Sequence, residues 1–267
     1  MKRIVYIAAA LLTVLSCSRT PSLVILHTND THSHLEPIRS GDHCGEGGII
    51  ERAAFVDSVR AAVGESKVLL LHAGDFSQGS SYFTEYGGYL EIDLINALRY
   101  DCVTLGNHEF DNGIEALADR LKKLECPVVC ANLDLSPFEL GQYVKPYAVL
   151  EKGGKKIGII GLETDLSTNV SKTISARIPQ LDAVEVTNRY AAELKAQKCD
   201  LVILLSHLGY NEDQDLVTKV RNIDLVVGGH SHTFVDEMKY VRDLDRKKVP
   251  VVTDGCFGLE MGEVRIY

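Results

Sequence analysis

Nowhere in its 267 residues does the chain carry a dense run of Lys and Arg; the basic clusters are short, such as KGGKK and KKVP. Its net charge is −9, so it has little with which to neutralise a phosphate backbone. That argues against duplex nucleic acid as a main partner. There is no Pro/Gly/Ser-rich linker, no low-complexity segment and no repeat at solenoid periods. A single domain from about residue 21 to the end is therefore expected. No cysteine pair has zinc-finger spacing, and no G-x-S-x-G marks a nucleophile. The glycine-rich GDHCGEGG (41–48) lacks the Lys-Ser/Thr ending of a triphosphate loop and reads as a rim loop before a helix. An acidic protein can still bind a small phosphate where local cations reverse the field.

The first residues, MKRIVYIAAALLTVLSC, pair a basic start (Lys2, Arg3) with an apolar run from Ile4 to Leu15. The run is too short to span a bilayer and reads as an export signal over residues 1–17. Small Ser16 before Cys17 resembles a bacterial lipoprotein signal. That resemblance implies lipidation of Cys17 and residence in the bacterial cell envelope, anchored in the periplasm or outer membrane. Simple cleavage, giving a soluble exported protein, is the alternative. Six cysteines remain after Cys17, an even number. Cys102, Cys130 and Cys199 lie in or beside apolar runs, where cysteine serves as a small hydrophobe, and a chain this long needs no disulfide staples. Mostly free thiols are expected.

Strand-length apolar runs alternate with segments of helical period. Strands are expected at 23–28, 67–74, 102–106, 127–133 and 200–207, with two more in VPVVTDG and GEVRIY. Helices are expected at 48–63, 86–99, 113–124 and 183–197. Residues 147–163 read as a hairpin turning at Gly153-Gly154. The order predicts an α/β fold with an antiparallel portion around the hairpin.

Polar chemistry recurs at the strand ends. LVILHTNDTH ends in Asp30 and His32, VLLLHAGD in Asp75, and CVTLGNHEFD in Asn107 and His108 with Asp111 beyond. LVILLSH ends in His207, and LVVGGHSH in His230 and His232. Ligands of open α/β sheets bind just beyond the carboxyl ends of the strands, so these groups are expected on one rim. Carboxylate and amide oxygens mixed with imidazoles suit Zn²⁺, Mn²⁺ or Fe rather than Ca²⁺. The donors outnumber one tetrahedral shell, which points to two cations about 3.5–4 Å apart, bridged by Asp75.

The ordered blocks LHTNDTHSH, AGDFSQGS, TLGNHEFD, LLSHLG and GGHSH, spread over residues 26–232, resemble those of the calcineurin-like metallophosphoesterases. More narrowly they resemble the catalytic domain of the bacterial 5′-nucleotidase and 2′,3′-cyclic phosphodiesterase branch. The resemblance implies a layered sandwich of two β-sheets flanked by helices. It also implies one divalent metal on Asp30, His32, Asp75 and His232, and a second on Asp75, Asn107, His207 and His230. His108 would face the phosphoryl group of the substrate, with Asp111 orienting it. The implied reaction is hydrolysis of a small phosphate ester, a nucleotide above all, by in-line attack of a metal-bound hydroxide.

Plainer roles compete at several positions. Asp111 could also cap the helix that follows, and Asn107 taken alone could be a turn residue. His27 and His72 read as strand positions, His34 and His43 as loop residues, none of them ligands. The glycines of GGHSH read as permitting a tight turn. Familiar 5′-nucleotidases carry a second, C-terminal domain that stacks the base between aromatic rings. This chain stops at Tyr267, so that domain is expected to be absent. A phosphodiesterase, or a lipid-anchored metal-binding scaffold working with a separate chain, are the alternatives to a nucleotidase-like phosphomonoesterase.

Overall fold

The computed structural model describes residues 20–267; the expected leader and Cys17 lie outside the described residues. The strands are β1 (Leu23–Thr28), β2 (Val68–His72), β3 (Cys102–Thr104), β4 (Val128–Val129), β5 (Val144–Lys145) and β6 (Tyr147–Lys152). They continue with β7 (Lys155–Glu163), β8 (Leu201–His207), β9 (Leu225–Val227), β10 (Lys239–Arg242), β11 (Lys248–Val252) and β12 (Gly262–Ile266). The helices are α1 (Ile49–Val63), α2 (Ser81–Tyr86), α3 (Tyr89–Leu98), α4 (Ile114–Leu121), α5 (Leu166–Asn169), α6 (Lys172–Ser175), α7 (Ala183–Ala196) and α8 (Tyr210–Val217).

Two six-stranded sheets result, ordered β12-β1-β2-β3-β4-β5 and β10-β11-β9-β8-β7-β6. Strands β1 to β5 are parallel, with β12 antiparallel at the edge. In the second sheet β11, β9, β8 and β7 are parallel, between antiparallel edges β10 and β6. The alternation of side chains along each strand builds the layers. Leu23, Ile25, Leu69 and Leu71 join Ile157, Ile159, Ile203 and Leu205 in a core between the sheets. Their neighbours Val24, Leu26, Val68 and Leu70 turn outward to α1, α3 and α4. Ile160, Leu162, Val202 and Leu204 turn outward to α7 and α8. Burial on both faces explains why these strands read as continuous apolar runs. Each fully buried leucine stabilises the fold by about 1.5–3 kcal/mol. On α4, Ile114, Leu117, Ala118 and Leu121 are buried, the spacing of one helical face.

The layered α/β sandwich agrees with the sequence reading, and the hairpin turns at Gly153-Gly154, whose φ values of 58° and 71° suit a tight primed turn. The helix expected at 86–99 is α3, which begins at Tyr89; Gly87 and Gly88, with φ of 60° and 87°, separate it from the unanticipated α2. The strand expected at 127–133 contracts to Val128–Val129. Strand β10 and helix α8 have no apolar run to announce them; β10 is a largely exposed edge and α8 buries only Asp213, Leu216 and Val217. All six described cysteines are free, four of them buried, Cys126 partly buried and Cys44 exposed.

Candidate metal centre

Strands β1, β2 and β3 of one sheet and β8 and β9 of the other deliver their carboxyl ends to a common rim. Asp30 and His32 follow β1, Asp75 follows β2, Asn107 and His108 follow β3, His207 ends β8, and His230 and His232 follow β9. The structure brings these side chains together in three overlapping groups: Asp30, His32 and His232; His32, Asp75 and His108; Asp75, His207 and His230. Asp75 Oδ2 stands 3.0 Å from His207 Nε2 and 3.8 Å from His32 Nε2, between the two sides. Asp30 Oδ1 is 3.3 Å from His232 Nε2 and 3.7 Å from His32 Nε2. The Nε2 atoms of His32 and His232 meet at 2.9 Å. Two imidazole lone pairs at that distance repel unless a proton or a cation lies between them.

Local backbone makes the approach possible. Asp30, His32, Asp75, His230 and His232 all have φ between 46° and 73°, the left-handed region that non-glycine residues seldom occupy. Such strain concentrates at functional sites, where the surrounding structure holds it. Asp30 is held by N–H bonds from His230 (2.9 Å) and Asn29 Nδ2 (2.7 Å) to its Oδ2. Asn29 in turn bonds Gly255 O and accepts from Asp254 N. His207 bonds Ala73 O through Nδ1 at 2.7 Å, leaving Nε2 toward the carboxylates. Gly228 and Gly229 do not need turn freedom, since neither has positive φ. They provide space: a Cβ on Gly228 would lie 2.5 Å from Asp213 Oδ2, and one on Gly229 2.7 Å from Ala73 O and 2.9 Å from His207 Nδ1.

Buried atoms without partners identify what the cluster can hold. Asn107 Oδ1 is buried without a hydrogen-bond partner, while Asp30 Oδ1 and His207 Nε2 face only other members of the cluster, His232 and His32 for the first and Asp75 for the second. Leaving such groups unpaired in the interior is costly, and divalent cations satisfy this set of oxygen and imidazole donors. The residues therefore fit a metal centre. The carboxylates already attract positive charge. Burial opposes protonation of His207, yet Asp75 and Asp30 hold its imidazole well above the ordinary range. The bond to Asp30, then Cys256, pushes His232 up to about 10. Burial raises Asp75, but His207 and His32 outweigh it and keep the carboxyl low. Burial lowers His32 and His230.

His108 lies at the margin, its ring centroid 5.3 Å from that of His32. Its backbone N–H donates to Asp75 Oδ1 at 2.9 Å and its Nδ1 bonds Asp111 Oδ2 at 2.8 Å. That bond raises the imidazole above its usual range. Asp111 caps nothing in α4, whose N-cap is Gly113 without a side-chain bond. His27 pairs with Asp254, His72 Nε2 with Thr31 Oγ1, His34 with His32 O and His43 with Glu46, all through groups other than the cluster's carboxylates.

Sequence reading passed over Glu109. Its carboxylate accepts from the backbone N–H of Asp75 (2.8 Å), Ser77 (3.0 Å) and Gly106 (2.7 Å), tying the β2 and β3 loops together. Burial, then Asp75, pushes it up to about 7. Its place beside the candidate ligand Asn107 and beside His108 was the available signal. Phe257 was also missed; its N–H donates to Asp30 O at 2.7 Å and its ring stands 5.9 Å from both His32 and His232. Nothing in CFGL marks it.

The calcineurin-like phosphoesterase family model matches residues 23–234. The chain is 36% identical over 270 residues to a snake venom 5′-nucleotidase of Naja atra, covering 91% of this chain and 50% of that protein. It is 37% identical over 268 residues to a 5′-nucleotidase of Homo sapiens, covering 91% and 46%. The crystal structure of a 5′-nucleotidase precursor from Thermus thermophilus superposes with a TM-score of 0.83 at 37% identity, covering 91% of this chain and 51% of that one. The chain thus spans about half the length of the relatives it matches. With the matched blocks carrying every member of the cluster on one rim of a two-sheet sandwich, the chain belongs to the calcineurin-like phosphoesterase family.

Proposed function

We propose that the chain is a metal-dependent hydrolase of phosphate esters, acting on phosphomonoesters in the manner of a 5′-nucleotidase. The observation that carries this reading is the convergence of Asp30, His32, Asp75, His207, His230 and His232 with the buried, unpartnered Asn107 Oδ1 beside His108. Asp30, His32, Asp75 and His232 would hold one divalent ion, and Asp75, Asn107, His207 and His230 the other, with Zn²⁺, Mn²⁺ or Fe the ions that suit these donors. Such a pair supplies Lewis acidity and lowers the pKa of water. The chain's own residues do the rest. Asp111 fixes Nδ1 of His108, which leaves Nε2 to donate to a phosphoryl oxygen. The raised proton affinity of His108 keeps that donor charged as negative charge develops. Glu109 holds the Asp75 and Gly106 backbone so that the β2 and β3 loops do not shift as substrate binds.

A nucleotide as substrate is supported by the 5′-nucleotidases among the relatives. Residues 21–267 form one catalytic domain in this reading, because a shared core joins the two sheets. Attachment to the cell envelope through Cys17 rests on the leader sequence alone. The test is phosphate release by the protein with Mn²⁺ or Zn²⁺, on AMP, UMP, a 2′,3′-cyclic nucleotide and an aryl phosphate. Turnover of AMP is expected. Release from the cyclic nucleotide alone would replace the monoesterase with a diesterase, and no release from any substrate with both ions bound would leave a metal-binding scaffold.

A further inference from the structure

Helix α4 carries one buried residue that its apolar face does not explain. Ile114, Leu117, Ala118 and Leu121 pack inward, and so does Arg120, which is 1% exposed. Arginine is almost never fully buried unless its donors are used. Here the guanidinium fork donates to acceptors on three separate segments. Nη2 bonds the main-chain O of Glu109, in the turn after β3. Nη1 bonds Ser77 Oγ at 3.3 Å, in the loop after β2, and Gly87 O at 3.4 Å, between α2 and α3. A Cβ on Gly88 would lie 2.0 Å from Nη1, and Cζ stands 5.9 Å from the centroid of the Phe83 ring. Burial lowers the pKa of the guanidinium below its usual range, against the raising effect of Glu109 and then Glu91. Lysine offers a single ammonium, whereas the planar fork of arginine reaches several acceptors at once in fixed directions.

We propose that Arg120 is a positioning residue of the metal centre, locking the loop after β2 to the turn after β3 and so fixing Asp75 relative to Asn107 and His108. The bonds form a closed ring. Arg120 holds Ser77 by its hydroxyl and Glu109 by its carbonyl. The Ser77 N–H donates to Glu109 Oε1 at 3.0 Å. From that ring, Glu109 Oε2 accepts from Asp75 N at 2.8 Å and from Gly106 N at 2.7 Å. Asp75 Oδ1 accepts from His108 N at 2.9 Å. Glu109 joins the two loops to each other; Arg120 ties both to α4, whose Ile114, Leu117, Ala118 and Leu121 are fixed in the core. Arg120 acts on the centre through Ser77 and Glu109. Its role there rests on the reading of Asp75 and Asn107 as metal ligands and of His108 as a substrate contact; the lock itself does not.

Hydrogen exchange on the intact protein reads the lock without any metal. In Arg120→Met the amides of Asp75, Ser77 and Gly106, which donate to Glu109, should exchange about 10-fold faster, while those of β8 keep their wild-type rates. Unchanged rates at the three amides overturn the lock, and an equal rise across both sheets overturns it in favour of a general contribution to stability. Ser77→Ala keeps the test decidable if Arg120→Met does not fold. It removes one acceptor of the ring and should speed the same three amides by a smaller factor; wild-type rates there overturn the lock. Arg120→Lys, which keeps the charge and loses the fork, reads the positioning. Mn²⁺, followed by water-proton relaxation, should bind it about 10-fold more weakly, and at saturating Mn²⁺ kcat on AMP should fall with KM little changed. Wild-type Mn²⁺ affinity and kcat in that variant overturn the positioning role. If the wild type neither binds Mn²⁺ nor releases phosphate, the metal-centre reading and the positioning role fall together, while hydrogen exchange still decides the lock.

Discussion

The two sides of the centre are built differently. His207, the anchor of one side, is the last residue of a central parallel strand and is 0% exposed in its side chain; His232, its counterpart on the other, sits on a loop and is 40% exposed. Sheet hydrogen bonds hold the first, with Glu163 paired to His207 across β7 and β8. The second depends on struts outside the sheet ladders: Asn29 Nδ2 to Asp30 Oδ2 and the backbone N–H of Phe257 to Asp30 O. The contrast teaches that a strand end places a side chain through register, whereas a loop places one only through packing assembled from distant segments.

The comparison can be broken at its midpoint. Asp75 lies between both sides, so Asp75→Ala should lose both ions and cut phosphate release by about 10³-fold or more. Metal analysis of the purified variant checks this; retention of either ion at full occupancy would show the sides are independent. One step smaller, His207→Ala should weaken one ion and also destabilise the protein by about 3 kcal/mol, since it leaves Ala73 O and a buried Asp75 without their partner. His232→Ala should weaken one ion about 10–100-fold with little change in urea unfolding. Equal stability losses in the two variants would erase the distinction between strand-held and loop-held sides.

Chemistry should separate from metal binding at His108. His108→Ala is expected to retain both ions and lose about 10²-fold in kcat, with Asp111→Asn a smaller loss in the same direction. Loss of an ion in His108→Ala would make it a ligand instead. The smallest effect lies far from the rim, at Asp224, which accepts from Lys195 (2.8 Å) and Val202 N (2.8 Å) and pairs with Lys247. Burial raises its carboxyl, but Lys195 and Lys247 outweigh that and keep it below the ordinary range. A carboxyl lowered by folding stabilises above its unfolded pKa and loses that contribution as pH falls through its folded value. Asp224→Asn should therefore cost about 1 kcal/mol at neutral pH and nothing once acid has protonated the wild-type carboxyl. Urea unfolding at neutral and acid pH measures it, and metal content should not move.

Chain chemistry alone determined the alternation of apolar runs and helical faces, the hairpin at Gly153-Gly154, and which Asp, Asn and His residues follow strands. These are local properties, readable because a strand buried on both faces must be apolar throughout and stop at a polar residue. Tertiary structure decided the rest. The packing of the sheet holding β1 to β3 against the sheet holding β8 and β9 joins residues some 200 positions apart, and no local pattern encodes it. The support of Glu109 and Phe257 was equally hidden. A buried charge looks in sequence like any surface charge, and only the packed fold shows that water has been taken from it.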